Sequence, residues 1–75
     1  MALKGKKVLV AEDTASIAYA LGQMLSGMGG EPLVVSSGEQ ALKILCDPRQ
    51  GPWDLLILDS RLPGMGGLDV LAALR

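Results

Sequence analysis

The stretch that decides the fold is Leu55-Leu56-Ile57-Leu58-Asp59, an apolar run that ends in a carboxylate. A second apolar run, Val8-Leu9-Val10-Ala11, ends in the acidic pair Glu12-Asp13. If both runs are parallel strands of one sheet, three carboxylates meet at its C-terminal edge, where open α/β sheets bind ligands. At roughly 5 Å and an effective dielectric constant of ~20, each like-charged pair costs about 3 kcal/mol. Such a cluster needs a cation or a bound proton, and its oxygen ligands favour Mg2+.

Size and composition indicate part of one small cytoplasmic domain. The chain has 75 residues, near the lower limit of what one hydrophobic core stabilises. Its single cysteine, Cys46, excludes an intramolecular disulfide and fits a reducing compartment. The net charge of −1 argues against nucleic-acid or membrane-surface binding by this segment. No apolar stretch approaches the ~20 residues of a transmembrane helix, and no signal-peptide core is present.

Short apolar runs alternate with helical patterns along the whole chain. The patterns predict strands over 8–11, 33–35 and 53–58, and helices over 14–28, 37–46 and 68–75. The order β-α-β-α-β-α implies an α/β fold with a parallel sheet and right-handed crossovers. With three strands and nothing beyond them, one flank of the sheet is expected to be open, so we interpret residues 1–75 as part of a larger doubly wound domain.

Local signals define the ends and faces of the first two helices. Ser37 and Gln40 have the spacing of a capping box at the start of the second helix, and Gly29-Gly30 is a stop signal for the first. The apolar residues of the first helix recur at helical spacing and predict one buried face, made of Ile17, Leu21, Met24, Leu25 and Met28.

Other kinds of site fit these residues less well. Phosphate loops need glycines and positive potential after the first strand, whereas this turn is acidic and free of glycine. An ordinary helix N-cap would explain Asp13 alone. The glycines at 64, 66 and 67 follow the third strand and miss cofactor-loop spacing, so turn geometry explains them better. A haloacid-dehalogenase-type phosphatase would need an Asp at the position of Arg61.

Three motifs carry a family resemblance. V-L-V-A-E-D (8–13), S-G-E-Q-A-L (37–42) and L-L-I-L-D-S-R-L-P-G-M-G-G-L (55–68) occur in this order. Together they resemble a response-regulator receiver domain, from about residue 7 to residue 75. The resemblance implies a flavodoxin-like sheet with strand order 2-1-3 for the part present, and a domain that lacks its last two strand–helix units.

The resemblance also implies a chemistry for the acidic cluster. Asp59 would be the phosphoacceptor, and the donor would be a phosphohistidine on a histidine kinase or phosphotransfer protein. Asp13 would hold Mg2+ directly and Glu12 through water, and Arg61 would add its backbone carbonyl. Pro63 and Gly67 would shape the loop. The Ser or Thr and the Lys that complete a receiver belong to the two missing units, and we expect those units to restore efficient phosphorylation.

The alternatives differ in class. The chain could be the receiver portion of a hybrid sensor histidine kinase. It could also be a non-catalytic fragment that associates with another chain, or with a second copy, through its open sheet flank. A metal-dependent hydrolase using Asp59 ranks last. The Arg61 side chain is expected to be solvated or to pair with Glu12.

Overall fold

A computed structural model describes residues 2–59, 61–62 and 64–73 of the chain. Three strands alternate with three helices: β1 Lys7–Ala11, α1 Ala15–Gly27, β2 Glu31–Val35, α2 Gly38–Leu45, β3 Leu55–Leu58 and α3 Gly67–Ala73. The strands form one sheet in the order β2-β1-β3, and both pairings are parallel. The predicted α/β class and the strand order 2-1-3 are therefore confirmed. None of the described helices is long and apolar enough to cross a lipid bilayer.

β1 lies at the centre of the sheet and is covered on both faces. Val8, Leu9 and Val10 are completely buried. Leu9 belongs to one core cluster, with Ala11, Ala41 and Leu62, and Val8 and Val10 belong to a second, with Leu25. Successive side chains of a strand point to opposite faces, so a strand between two cores must be apolar throughout.

The register of the sheet aligns the ends of β1 and β3. Ala11 pairs with Val35 on one side and with Leu58 on the other. Residues 12 and 59 therefore follow paired positions and emerge at the same C-terminal edge. The sheet edge that the sequence predicted for the acidic residues is the one observed.

β3 is shorter than predicted: it begins at Leu55, so Trp53 and Asp54 precede it. The ladder to β1 starts at Asp54, whose backbone N–H donates to the Lys7 carbonyl and whose Oδ2 accepts a bond from the Lys7 N–H. The Trp53 ring lies beneath the Lys7 side chain instead, with the ammonium nitrogen 4.7 Å from the ring centroid. Trp53 therefore contacts β1 through a cation–π interaction with Lys7 and not through strand pairing.

The predicted apolar face of α1 is wrong in part. Leu25 is buried and Leu21 half-buried, but Ile17 is 49% exposed and Met24 59%. Met28 is also exposed and follows the end of the helix. α1 packs against β1 and β2, and this contact covers only one side of its apolar stripe.

The capping box of α2 is present but displaced by one residue. Ser37 Oγ accepts the Gln40 N–H at 3.1 Å, as predicted. The return bond runs from the Ser36 N–H to Gln40 Oε1, at 2.9 Å, rather than from the Ser37 N–H. At the end of α1 the Gly30 N–H donates to the Leu25 carbonyl, and Gly29 has a φ of 87°, which confirms the predicted stop.

Candidate functional site

Three carboxylates meet where β1 and β3 end. Glu12, Asp13 and Asp59 each offer one carboxylate oxygen, and these oxygens lie within 4.8 Å of one another. Glu12 is 9% exposed, Asp59 is half-buried and Asp13 is exposed. The structure thus brings together the three acidic residues that the sequence predicted at this edge, and their roles as ligands stay predictions.

No protein cation neutralises this cluster among the residues that the structure describes. In the described part of the chain, the ion pair lies away from this cluster and joins Arg49 to Asp47, in the loop after α2. At 4.8 Å and an effective dielectric constant of ~20, two carboxylates repel by about 3 kcal/mol, and by less where Asp13 is solvated. A divalent cation relieves such repulsion, and carboxylate oxygens are the ligands that Mg2+ prefers. The donor set therefore fits Mg2+.

Glu12 is held by its backbone and its side chain. Its N–H donates to the Val35 carbonyl at 3.0 Å, which extends the β1–β2 ladder past Ala11. Its Oε1 accepts the Thr14 N–H, also at 3.0 Å. Thr14 is the N-cap of α1, but its side chain makes no capping bond. Thr14 thus contributes a backbone N–H that orients the Glu12 carboxylate. The residue types in the sequence could not reveal this hydrogen bond.

Asp59 is fixed by three hydrogen bonds. Its N–H donates to the Ala11 carbonyl at 3.1 Å and its carbonyl accepts the Gly67 N–H at 3.2 Å, so the ends of the loop that follows are close together. Its Oδ1 accepts the Arg61 N–H at 2.9 Å. This bond places the Arg61 backbone beside the carboxylate, where a backbone ligand is predicted. The Arg61 side chain is exposed and makes no ion pair with Glu12.

Two other residues shape the loop between β3 and α3. Gly67 is buried, and a Cβ there would lie 3.1 Å from the Leu58 Cβ and 3.2 Å from the Asp59 carbonyl oxygen. This close approach explains the glycine. Leu62 is 6% exposed and anchors the loop in the core beside Leu9. An apolar side chain inside a Gly-rich loop was the signal for this anchor that the sequence analysis missed. Pro63, which was also predicted to shape the loop, lies outside the described residues.

One cavity in the described part of the chain lies elsewhere. It has a volume of about 390 Å3 and lies between α1 and β2, with Tyr19, Gly22 and Val34 among its lining residues. No acidic side chain lines it. This cavity is therefore separate from the acidic sheet edge.

Comparisons with known proteins agree with this arrangement. The family model described as response regulator receiver domain matches residues 8–75. The DNA-binding response regulator MtrA of Mycolicibacterium paratuberculosis is 41% identical over 70 residues, which are 93% of this chain and 30% of that protein. The transcriptional regulatory protein CpxR of Escherichia coli is 38% identical over 69 residues, 92% of this chain and 28% of that protein. The chain thus spans less than a third of the length of these relatives.

Solved structures show the same fold. The receiver domain of the Francisella response regulator 1452 superposes with a TM-score of 0.84 at 28% identity, covering 95% of this chain and 56% of that one. The signal receiver domain of a LuxO repressor protein from Vibrio parahaemolyticus superposes with a TM-score of 0.78 at 30% identity. The match covers 93% of this chain and 52% of that one. The sequence match, the strand order and the acidic sheet edge agree, and the chain belongs to the response regulator receiver domain family.

Proposed function

We propose that the chain is a phosphoacceptor receiver module of a two-component phosphorelay, in which Asp59 takes a phosphoryl group from a phosphohistidine. The observation that carries the proposal is the set of carboxylate oxygens from Glu12, Asp13 and Asp59 within 4.8 Å, in a chain of the receiver family. Residues 1–75 contain no histidine, so the phosphohistidine lies outside them, on a histidine kinase or a phosphotransfer protein. We place this exchange in the cytoplasm.

The transfer needs an anionic oxygen in line with the donor phosphorus. An Asp59 carboxylate oxygen attacks phosphorus, and an O–P bond forms while the P–N bond to the imidazole breaks. The electron pair of that bond stays on the ring nitrogen, and with the other ring nitrogen protonated the histidine leaves neutral. The product is an acyl phosphate on Asp59.

The acidic edge also has the ligands for a metal. Asp13 and Asp59 would hold Mg2+ directly, Glu12 would hold it through a water molecule, and the Arg61 carbonyl would add a neutral oxygen. When bound, Mg2+ supplies positive charge against the transferring phosphoryl group. The residues of this chain keep the acceptor in place: Ala11 and Gly67 hold the Asp59 backbone, and the Arg61 N–H orients its carboxylate.

We further propose that residues 1–75 are the N-terminal part of one receiver domain, without its last two strand–helix units. In support, nearly the whole chain matches the Francisella receiver, but the match covers only 56% of that structure. A Ser or Thr and a Lys would then come from those units. Fusing two such units after residue 75 is expected to speed phosphorylation, and an equal rate in the fused and unfused chains would contradict this assignment.

The test of the function is phosphoryl uptake by the chain from a small donor such as acetyl phosphate, with Mg2+ present and with detection by intact-protein mass spectrometry. We expect one phosphoryl group on the wild type and none on Asp59→Asn, because an amide oxygen is not a competent nucleophile. Asp54→Asn, at the opposite end of β3, is the matched control and should be labelled like the wild type. Labelling of Asp59→Asn would exclude Asp59 as the acceptor.

One observation favours a second candidate function, association through the open flank of the sheet. The outer edge of β3 pairs with no strand in the described part of the chain. Leu55, an exposed apolar residue, lies on β3. An apolar edge strand is a template for pairing with another chain, so a second copy or a partner protein could cover it.

A further inference from the structure

We propose that Gly38, the first residue of α2, is a positioning residue for the phosphoacceptor. In this proposal, the absence of a side chain at Gly38 lets Gly64 and Met65, in the loop after β3, dock against α2. That docking keeps the Arg61 backbone beside the Asp59 carboxylate. The inference rests on the proposed transfer to Asp59, and it assigns part of the site to a helix that contributes no ligand.

The observation that carries it is a close approach between backbones. Gly38 is buried, and a Cβ built on it would overlap the carbonyl oxygen of Met65. The same Cβ would lie 3.0 Å from the Met65 carbonyl carbon and 3.0 Å from Val70 Cγ2. The principal obstacle is a backbone carbonyl rather than the end of a flexible side chain, so a rotamer change cannot relieve the overlap.

Conformation does not explain this glycine. The glycines with positive φ are Gly5, Gly29, Gly51 and Gly64, and Gly38 is not among them. Gly38 is the first residue of α2 and lies outside the helix interior, where glycine is about 1 kcal/mol less stable than alanine, so helix propensity does not select glycine here either. Packing against Met65 is what requires glycine there.

Two more residues of α2 lie against the loop. Ala41, one turn after Gly38, is completely buried and shares a core cluster with Leu62 of the loop. The Glu39 carboxylate lies beside Gly64, where a Cβ would be 3.1 Å from Glu39 Oε1. The loop is thus packed against α2 on one side.

On its other side the loop is bonded to Asp59. The Arg61 N–H donates to Asp59 Oδ1, and the Gly67 N–H donates to the Asp59 carbonyl. Met65 lies between these two bonds along the chain and only four positions after Arg61, so a shift imposed at Met65 is expected to reach Arg61. Restoring an ordinary contact requires a shift of roughly 1 Å, and a misplacement of that size can cost about 100-fold in rate.

The experiment compares Gly38→Ala with Gly22→Ala in the 75-residue chain. Gly22 lies within α1, and a Cβ there would meet only Val34 Cγ2, at an ordinary 3.8 Å. The first readout is hydrogen exchange of the Arg61 amide without metal. The second is Mg2+ affinity from amide shifts, and the third is the rate of Asp59 labelling by acetyl phosphate.

We expect Gly38→Ala to speed Arg61 amide exchange at least tenfold and to slow labelling by about 100-fold. Gly22→Ala should stay within about twofold of the wild type in all three readouts, because it meets only an ordinary contact. Equal Arg61 exchange in the two variants would overturn the positioning role, even with labelling intact. An unlabelled wild type would overturn the proposed function instead, while Arg61 exchange would still decide the role of Gly38.

If Gly38→Ala does not fold, the wild type supplies the test. The Gly38 amide signal should then shift with Mg2+ along the same binding curve as the Arg61 signal, while the Gly22 signal stays in place. A Gly38 signal that ignores Mg2+ while Arg61 responds would overturn the inference.

Discussion

The backbone N–H of Arg61 donates a 2.9 Å hydrogen bond to Oδ1 of Asp59, the residue two positions before it. The bond orients the carboxylate through the main chain, so it does not depend on the Arg61 side chain, which is exposed. An arginine is therefore compatible with this position of the loop. The positions of the site's carboxylates thus depend on strand ends and on backbone groups.

Removing a negative charge from the acidic edge should weaken Mg2+ binding but should raise the thermal stability of the metal-free chain. We expect Asp13→Asn to weaken Mg2+ binding by about 100-fold and Glu12→Gln by about 10-fold, because Glu12 acts through water. Without Mg2+, Asp13→Asn should raise the thermal midpoint by up to about 5 °C, because it removes like-charge repulsion. Calorimetric titration and thermal unfolding measure the two effects. Lower stability of Asp13→Asn in EDTA would contradict the repulsion.

The position of α1 on the sheet predicts a contrast between two neighbouring residues. Leu25 is buried and Met24 is 59% exposed. Leu25→Ala should lower the free energy of unfolding by about 2–4 kcal/mol, and Met24→Ala should change it by no more than about 0.5 kcal/mol. Urea unfolding measures both values. Similar losses in the two variants would mean that α1 buries its whole apolar stripe.

The open edge of β3 predicts concentration-dependent association. Leu55 is 41% exposed on that edge strand. Leu55→Lys should lower the association constant at least about tenfold, because a charged side chain on an edge strand disfavours pairing. Sedimentation equilibrium measures the constant. Leu68→Lys, at a more exposed residue of α3, is the control, and Asp59→Asn should have no effect. An unchanged constant in Leu55→Lys would place any association elsewhere.

The pKa of Asp47 should depend on Arg49. The Arg49 side chain and, to a smaller extent, its backbone N–H donate to the Asp47 carboxylate and hold its pKa below the ordinary value. A carboxyl with a lower pKa in the folded state adds stability above the unfolded-state pKa and loses it as pH falls through the folded-state pKa. Because Arg49 is 88% exposed, this contribution is small. Arg49→Gln should raise the pKa of Asp47, measured by carboxyl 13C NMR titration. Arg61→Gln should leave it unchanged.

The apolar runs predicted a parallel sheet and its acidic edge because these depend on local patterns, whereas the strand order 2-1-3 came from the family resemblance. A continuous apolar run such as Val8–Val10 is compatible with a strand covered on both faces, and parallel strands place their ends at one edge. The face of α1 was predicted less well. Helical spacing marks Ile17 and Met24 as apolar, but only the extent of the sheet decides that they stay exposed.

By itself, the sequence determined the class of the fold, the family and the residues that can carry charge at the site. Only the tertiary structure decided how those residues are held. The Thr14 N–H orients Glu12, the Arg61 N–H orients Asp59, and Gly38 makes room for the loop. The reason is physical: a side-chain pattern records polarity and spacing along one element. The two hydrogen bonds join residues only two positions apart, but they depend on the backbone conformation that each strand end adopts. The close approach of Gly38 to Met65 joins elements distant in sequence. Neither kind of contact leaves a side-chain signal.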